Sequence, residues 1–161
     1  MKVRIEHSFP FPPTTFWSIF FDADFEAEVA TASKAEVTVL RDELHGDVRH
    51  RVIKVVAKTE LPGPLRSILR NDGITYEQHM QVHEAKGYMD WQIIPASVAD
   101  RATIQGRTTV TATATGCNRV VEGEVGVRVP LVGGRIEKLV ADAIERTYGE
   151  GTQRMLDWHA R

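Results

Sequence analysis

RVVEGEVGVRV (119–129) followed by PLVGGRIEKLVADAIERTYGEGTQRMLDWH (130–159) is the stretch that decides the architecture. Its first part alternates, with Val121, Gly123, Val125, Val127 and Val129 on one side and Glu122, Glu124 and Arg128 on the other. That two-residue period is the mark of a half-buried strand. Its second part repeats apolar residues at Val132, Ile136, Leu139, Val140, Ala143, Ile144, Tyr148 and Met155, which is helical spacing. The pattern predicts one long amphipathic helix over roughly 134–159, slightly bent where Gly149 and Gly151 weaken it. Gly133-Gly134 at its start lets the chain turn sharply and lets the helix approach the sheet. The alternative for this pair is a set of backbone donors for an anion.

Working upstream, the β signal persists back to residue 35. The segments 35–44, 47–58, 73–84, 87–94 and 102–115 read as strands, separated by turn signals such as His45-Gly46, Ala85-Lys86 and Pro95–Asp100. Thr108, Thr109, Thr111, Thr113 and Thr115 suit a strand, because β-branched side chains fit the pleat. Residues 2–9 form a further strand with Val3, Ile5, His7 and Phe9 on one face, ended by Pro10, Pro12 and Pro13. Thr14 or Thr15 then caps a short helix carrying Phe16, Trp17, Ile19 and Phe20. A second short helix follows from Asp22, with Phe25 and Val29 inside and Asp24, Glu26 and Glu28 outside. The fold class is α+β, one domain over residues 1–161. A seven-stranded, curved antiparallel sheet wraps the long C-terminal helix, with two short helices after the first strand.

Charge and composition exclude several function classes. Twenty basic residues against 22 acidic ones give a formal charge of -2, without the basic footprint that nucleic acid requires. No Lys/Arg run offers a polybasic membrane patch. Cys117 is the single cysteine, so no internal disulfide forms. No segment approaches the ~20 apolar residues needed to span a bilayer. The N-terminal residues lack the continuous apolar stretch of a signal peptide, and the expected location is the cytoplasm.

The element order, together with the Pro-Leu-x-Gly-Gly-x-x-Glu core of residues 130–137, resembles the SRPBCC or START-like superfamily. These are the helix-grip proteins, which include birch-pollen-allergen-like carriers and polyketide cyclases. The stretch is similar to a bacterial branch described only as a domain of unknown function. The resemblance covers essentially the whole chain. It implies a cavity for lipids, sterols, polyketides or other apolar molecules, and fixes neither ligand nor activity.

Strand faces identify candidate lining residues. Tyr76, Gln78 and Met80 share one parity, as do Met89, Trp91 and Ile93, and Val125 and Val127. His50 and Val52 join them if the even positions of 47–58 point inward, although Lys54 shares that parity. Ile136, Val140 and Ile144 complete the lining from the helix. Polar groups on these faces either reach backbone and water or orient a ligand. A gate is expected at one end of the sheet, where Leu61, Leu65, Leu69, Val98 and Leu131 gather. Leu65 and Leu69 lie one helical turn apart, either as a mobile lid or as fixed packing on the sheet rim.

Motifs for covalent or metal chemistry are missing. Gly-x-Ser-x-Gly, Cys-x-x-Cys and His-Glu-x-x-His do not occur. His79 and His83, four residues apart on a strand, lie ~13 Å apart and cannot share an ion. Cys117 sits in a turn with no neighbouring histidine to activate it. No cofactor is expected. The leading expectation is non-catalytic binding or transport of a small hydrophobic molecule, lipid-like or aromatic. Transient membrane or protein contact is expected at the apolar rim. A cyclase/dehydratase-like enzyme would need His50, Gln78 or His7 to converge on one point. An interaction module with its cavity filled by side chains is the third reading.

Overall fold

Eight alternating residues, Lys2–Phe9, form strand β1, and the prolines that follow hand the chain to helix α1 (Pro13–Phe20). The computed structural model describes residues 1–58, 66 and 74–161. Pro13 opens α1, where its fixed φ suits the first helical turn. Thr14 and Thr15 lie inside this helix and do not cap it, since Pro12 takes the cap position without a side-chain bond. Helix α2 (Ala23–Ala32) is capped as its sequence suggests, by Asp22 Oδ1 accepting from Phe25 N at 2.9 Å.

The remaining strands are β2 (Ala35–His45), β3 (Val48–Ala57), β4 (Ile74–His83), β5 (Tyr88–Pro95), β6 (Ala102–Thr113) and β7 (Gly116–Val127). They pair antiparallel in the order β1-β7-β6-β5-β4-β3-β2, leaving β1 and β2 at the edges. Helix α3 (Gly133–His159) runs unbroken through Gly149 and Gly151 and packs on β7, β1 and both short helices.

The join between β7 and α3 gives the Pro-Leu-x-Gly-Gly-x-x-Glu core a physical meaning. A Cβ on Gly133 would collide with the Val127 carbonyl, so only glycine lets the helix start so close to the sheet. Glu137 Oε1 accepts from Val127 N at 2.9 Å, tying the first helical turns to the last ladder position. Gly133 therefore serves close approach, whereas a Cβ on Gly134 would meet nothing.

Cross-strand register fixes which side chains face α3. Met80 stands opposite Trp91 and Arg51, Trp91 opposite Gly106, and Gly106 opposite Gly123. Because paired residues share a face, β3 turns Arg51, Ile53 and Val55 inward. His50 and Val52, expected inside, lie opposite Gln81 and His79 on the outer face. The reason is ionic. Buried Arg51 makes a bidentate bond to Glu26 of α2 at 2.6 and 2.7 Å, and its Nε lies 3.4 Å from Asp42. Glu26, expected in solvent, turns toward that guanidinium.

Candidate functional site

The inner face changes character along α3. At the end covered by α1 it is packed tight: Phe9, Phe11, Phe16, Trp17, Phe25, Cys117 and Met155 are all buried. Phe16 meets Phe9 and Trp17 edge-on at centroid distances of 5.3 and 5.1 Å. Toward the opposite end, Ile53, Tyr76, Gln78, Ile93, Ala102 and Val140 occupy the same face but keep accessible surface. Met80, Met89, Trp91, Val125, Ile136 and Ile144 lie among them, buried. Val127 and Ile136 form a small separate cluster with Val129, Val132 and Val140 at the start of the helix.

Between the two regions lies a polar layer. Arg119, only 2% exposed, sits on the inner face of β7 beside His7. Its Nη2 donates to His7 Nδ1 at 2.8 Å, to Thr152 Oγ1 at 2.8 Å and to the Tyr148 carbonyl at 3.3 Å. Its guanidinium stands 4.8 Å from the centroid of the Tyr148 ring and 5.3 Å from that of Phe9. Burial pushes the Tyr148 hydroxyl above the usual phenol range, against the opposing pull of Thr108 and Arg119. Tyr148 nevertheless keeps some accessible surface. Tyr76 is pushed up in the same way, by burial and then by Tyr148. Thr108 Oγ1 favours the ionised form of Tyr148, yet no acceptor or donor completes a hydrogen bond with it.

Burial first, then the Arg119 charge, holds His7 below the ordinary histidine pKa of 6.5. In the unfolded chain His7 binds its proton near pH 6.5, whereas in the folded protein it resists. The unfolded state therefore binds more protons below that pH, and stability falls as pH drops. Urea unfolding at pH 7.5 and 5.5 is expected to give a lower free energy at 5.5, with a smaller drop in His7→Asn. Equal drops in the two proteins would remove His7 as a source of the dependence.

Trp91 is shaped by two glycines. A Cβ on Gly106 would lie 2.5 Å from Trp91 Cζ2, and one on Gly123 would lie 3.1 Å from its Cη2. The indole thus lies flat on the backbone of β6 and β7, where any other residue would lift it.

The groups that a cyclase reading needs do not converge. His50 is on the outer face, His7 is engaged by Arg119, and Gln78 is on the inner face of β4. His50 and Val52 instead line an open polar groove of about 950 Å³ on the back of the sheet. Ion pairs such as Arg107–Asp90 at 2.6 Å and Arg4–Glu122 at 3.3 Å fill that surface. His79 lies 3.1 Å from Glu77, and His83 stacks on Tyr88. Of the expected gate, Leu61, Leu65 and Leu69 lie outside the described residues. Val98 and Leu131 both adopt positive φ, 58° and 70°. Leu131 projects wholly into solvent.

Sequence reasoning does not single out Arg119, Thr108, Tyr148 or Ile53 as site residues. Arg119 carries a readable signal: it shares the odd parity of Val121–Val127, a charge on an otherwise apolar face. Tyr148 is legible as helical spacing alone.

Residues 4–158 match the sequence profile of a family described as "Protein of unknown function (DUF2505)". No curated protein matches the chain. Among solved structures, TTHA0849 from Thermus thermophilus is similar at TM-score 0.66 and 15% identity, over 98% of this chain and 95% of that one. The Zhui aromatase/cyclase from a Streptomyces species is similar at TM-score 0.69 and 12% identity, over 100% and 95%. CC1736 from Caulobacter crescentus is similar at TM-score 0.64 and 8% identity, over 100% and 99%. At such identities the likeness is one of fold, and that fold is the helix grip.

Proposed function

We propose, for a chain that belongs to the family described as a protein of unknown function (DUF2505), that it holds a small hydrophobic molecule, lipid-like or aromatic, between sheet and α3 without transforming it. One observation carries this reading. Ile53, Tyr76, Ile93, Val140 and Tyr148 face the interior from both layers, yet each keeps accessible surface. Side chains of this kind normally close on one another, because protein interiors pack as densely as organic crystals. Apolar walls with a few polar groups are the usual make-up of a small-molecule site.

The test fills the space. Val140→Trp is expected to abolish saturable binding of an environment-sensitive apolar dye while leaving the melting temperature within about 2 °C of the parent, about what 1 kcal/mol moves in a domain of this size. If side chains already fill the region, the added bulk strains the core by about 1–3 kcal/mol and lowers the melting temperature. That result, with no dye bound by the parent protein, would overturn the binding reading. It would leave an interaction module in its place. Organic extraction of natively purified protein, followed by mass spectrometry, would then name the ligand.

A further inference from the structure

Among the described residues, the buried Arg119 is a charge without a carboxylate to balance it, since none lies within ion-pair distance. Its Nη2 is fully used, but Nε–H is enclosed without an acceptor, and Nη1 likewise has none among the described residues. Each titratable group that faces it is uncharged near neutral pH. Burial raises the Cys117 thiol and the Tyr148 phenol, and lowers the His7 imidazole. A lone buried cation with unmet donors is costly in a low-dielectric interior, and folded proteins normally pair it.

The neighbours of Arg119 point the same way. Arg119 pairs with Val110, and Thr108 pairs with Val121, so Arg119 and Thr108 are diagonal neighbours on one face. Thr108 Oγ1 is also enclosed without a partner. Tyr148 spans both, with its ring over the guanidinium and its hydroxyl near Thr108. Two enclosed, unmet groups, Arg119 Nε and Thr108 Oγ1, and a net positive charge thus lie against Tyr148, which alone of the three keeps accessible surface.

Building on the binding reading above, we propose that the ligand is an amphipathic monocarboxylate, with an apolar body toward Ile93 and Val140 and its carboxylate on the Tyr148–Thr108–Arg119 floor. Tyr148 donates its hydroxyl hydrogen to the carboxylate. Arg119 supplies the counter-charge behind the ring. Thr108 positions the phenol, by donating to its oxygen once the head group draws the phenol's own proton forward.

Binding of decanoate and of 1-decanol, measured by calorimetry at pH 7.5, tests the assignment. Decanoate is expected to bind at least tenfold more tightly than the alcohol. In Tyr148→Phe and in Arg119→Met the preference is expected to shrink to within about threefold. The carboxyl carbon of ¹³C-labelled decanoate, followed by NMR, is expected to titrate at lower pH when bound than when free, and to lose that shift in Arg119→Met. Arg119→Met removes a buried charge but also the bonds to His7, Thr152 and the Tyr148 carbonyl. Tyr148→Phe, which deletes one hydroxyl, keeps the test open should Arg119→Met misfold. Equal binding of acid and alcohol, or a preference that survives in a folded variant, would overturn the carboxylate proposal alone. Failure of both chains and of the apolar dye to bind would overturn it together with the binding reading.

Discussion

Replacing Phe16 with Ala is expected to lower the melting temperature by roughly 6–20 °C. Phe16 is wholly buried, at 0% exposure. Its ring touches Phe9 and Trp17 edge-on and stacks on Phe20 at 5.8 Å, while the Arg119 guanidinium lies 6.0 Å from its centroid. Truncation of a buried Phe to Ala costs about 3–5 kcal/mol, since both the lost transfer energy and the cavity count. In a domain of this size each kcal/mol moves the melting temperature by about 2–4 °C. Neighbours cannot collapse freely into the gap, because α1 is held by its prolines on one side and by α3 on the other. Thermal melting followed by circular dichroism checks the value. Phe16→Leu, which keeps most of the volume, is expected to lose well under half as much. A shift below about 2 °C for the alanine variant would mean that α1 is a loosely attached cover and not the plug of the packed end of the sheet.

Most elements of the fold are legible from spacing alone. Strands β1, β4, β5 and β7 each put apolar side chains on one parity, and α3 declares its period over seven turns. Strand β3 misleads because apolarity is divided between its parities. Val48, Val52 and Val56 sit on the even positions, and Ile53, Val55 and Ala57 on the odd ones. The inward Arg51 looks like a solvent residue. What buries it is Glu26, 25 residues away on another element, and a pattern along one strand cannot contain such a partner. Lys54 is the useful sign: exposed, and of the same parity as His50 and Val52. The polar floor escapes for a similar reason. Arg119, Thr108 and Tyr148 come from two strands and a helix, and only the register β6–β7 and the path of α3 bring them together. Local pattern predicts faces; it does not predict which polar groups meet across them.

Gly106→Val is expected to be the most damaging single change near the candidate site, lowering stability by about 3 kcal/mol and the melting temperature by roughly 6–12 °C. Any Cβ here meets the Glu122 carbonyl of β7 as well as the Trp91 ring, and valine adds two methyls that point the same way. The carbonyl belongs to the sheet ladder and has little room to yield. The indole must therefore tilt away from the backbone and toward α3. Stability and binding should then fall together, which separates this variant from Val140→Trp, where only binding is lost. A double-mutant cycle shows how much of the cost is the ring. Trp91→Leu in the Gly106→Val background should restore part of the lost stability, because it removes one of the two clashes. Full additivity of the two changes would mean that the ring already stands clear of Gly106. In that case the glycines at 106 and 123 would matter only for the ladder, and Trp91 would lose its assigned place on the floor of the sheet.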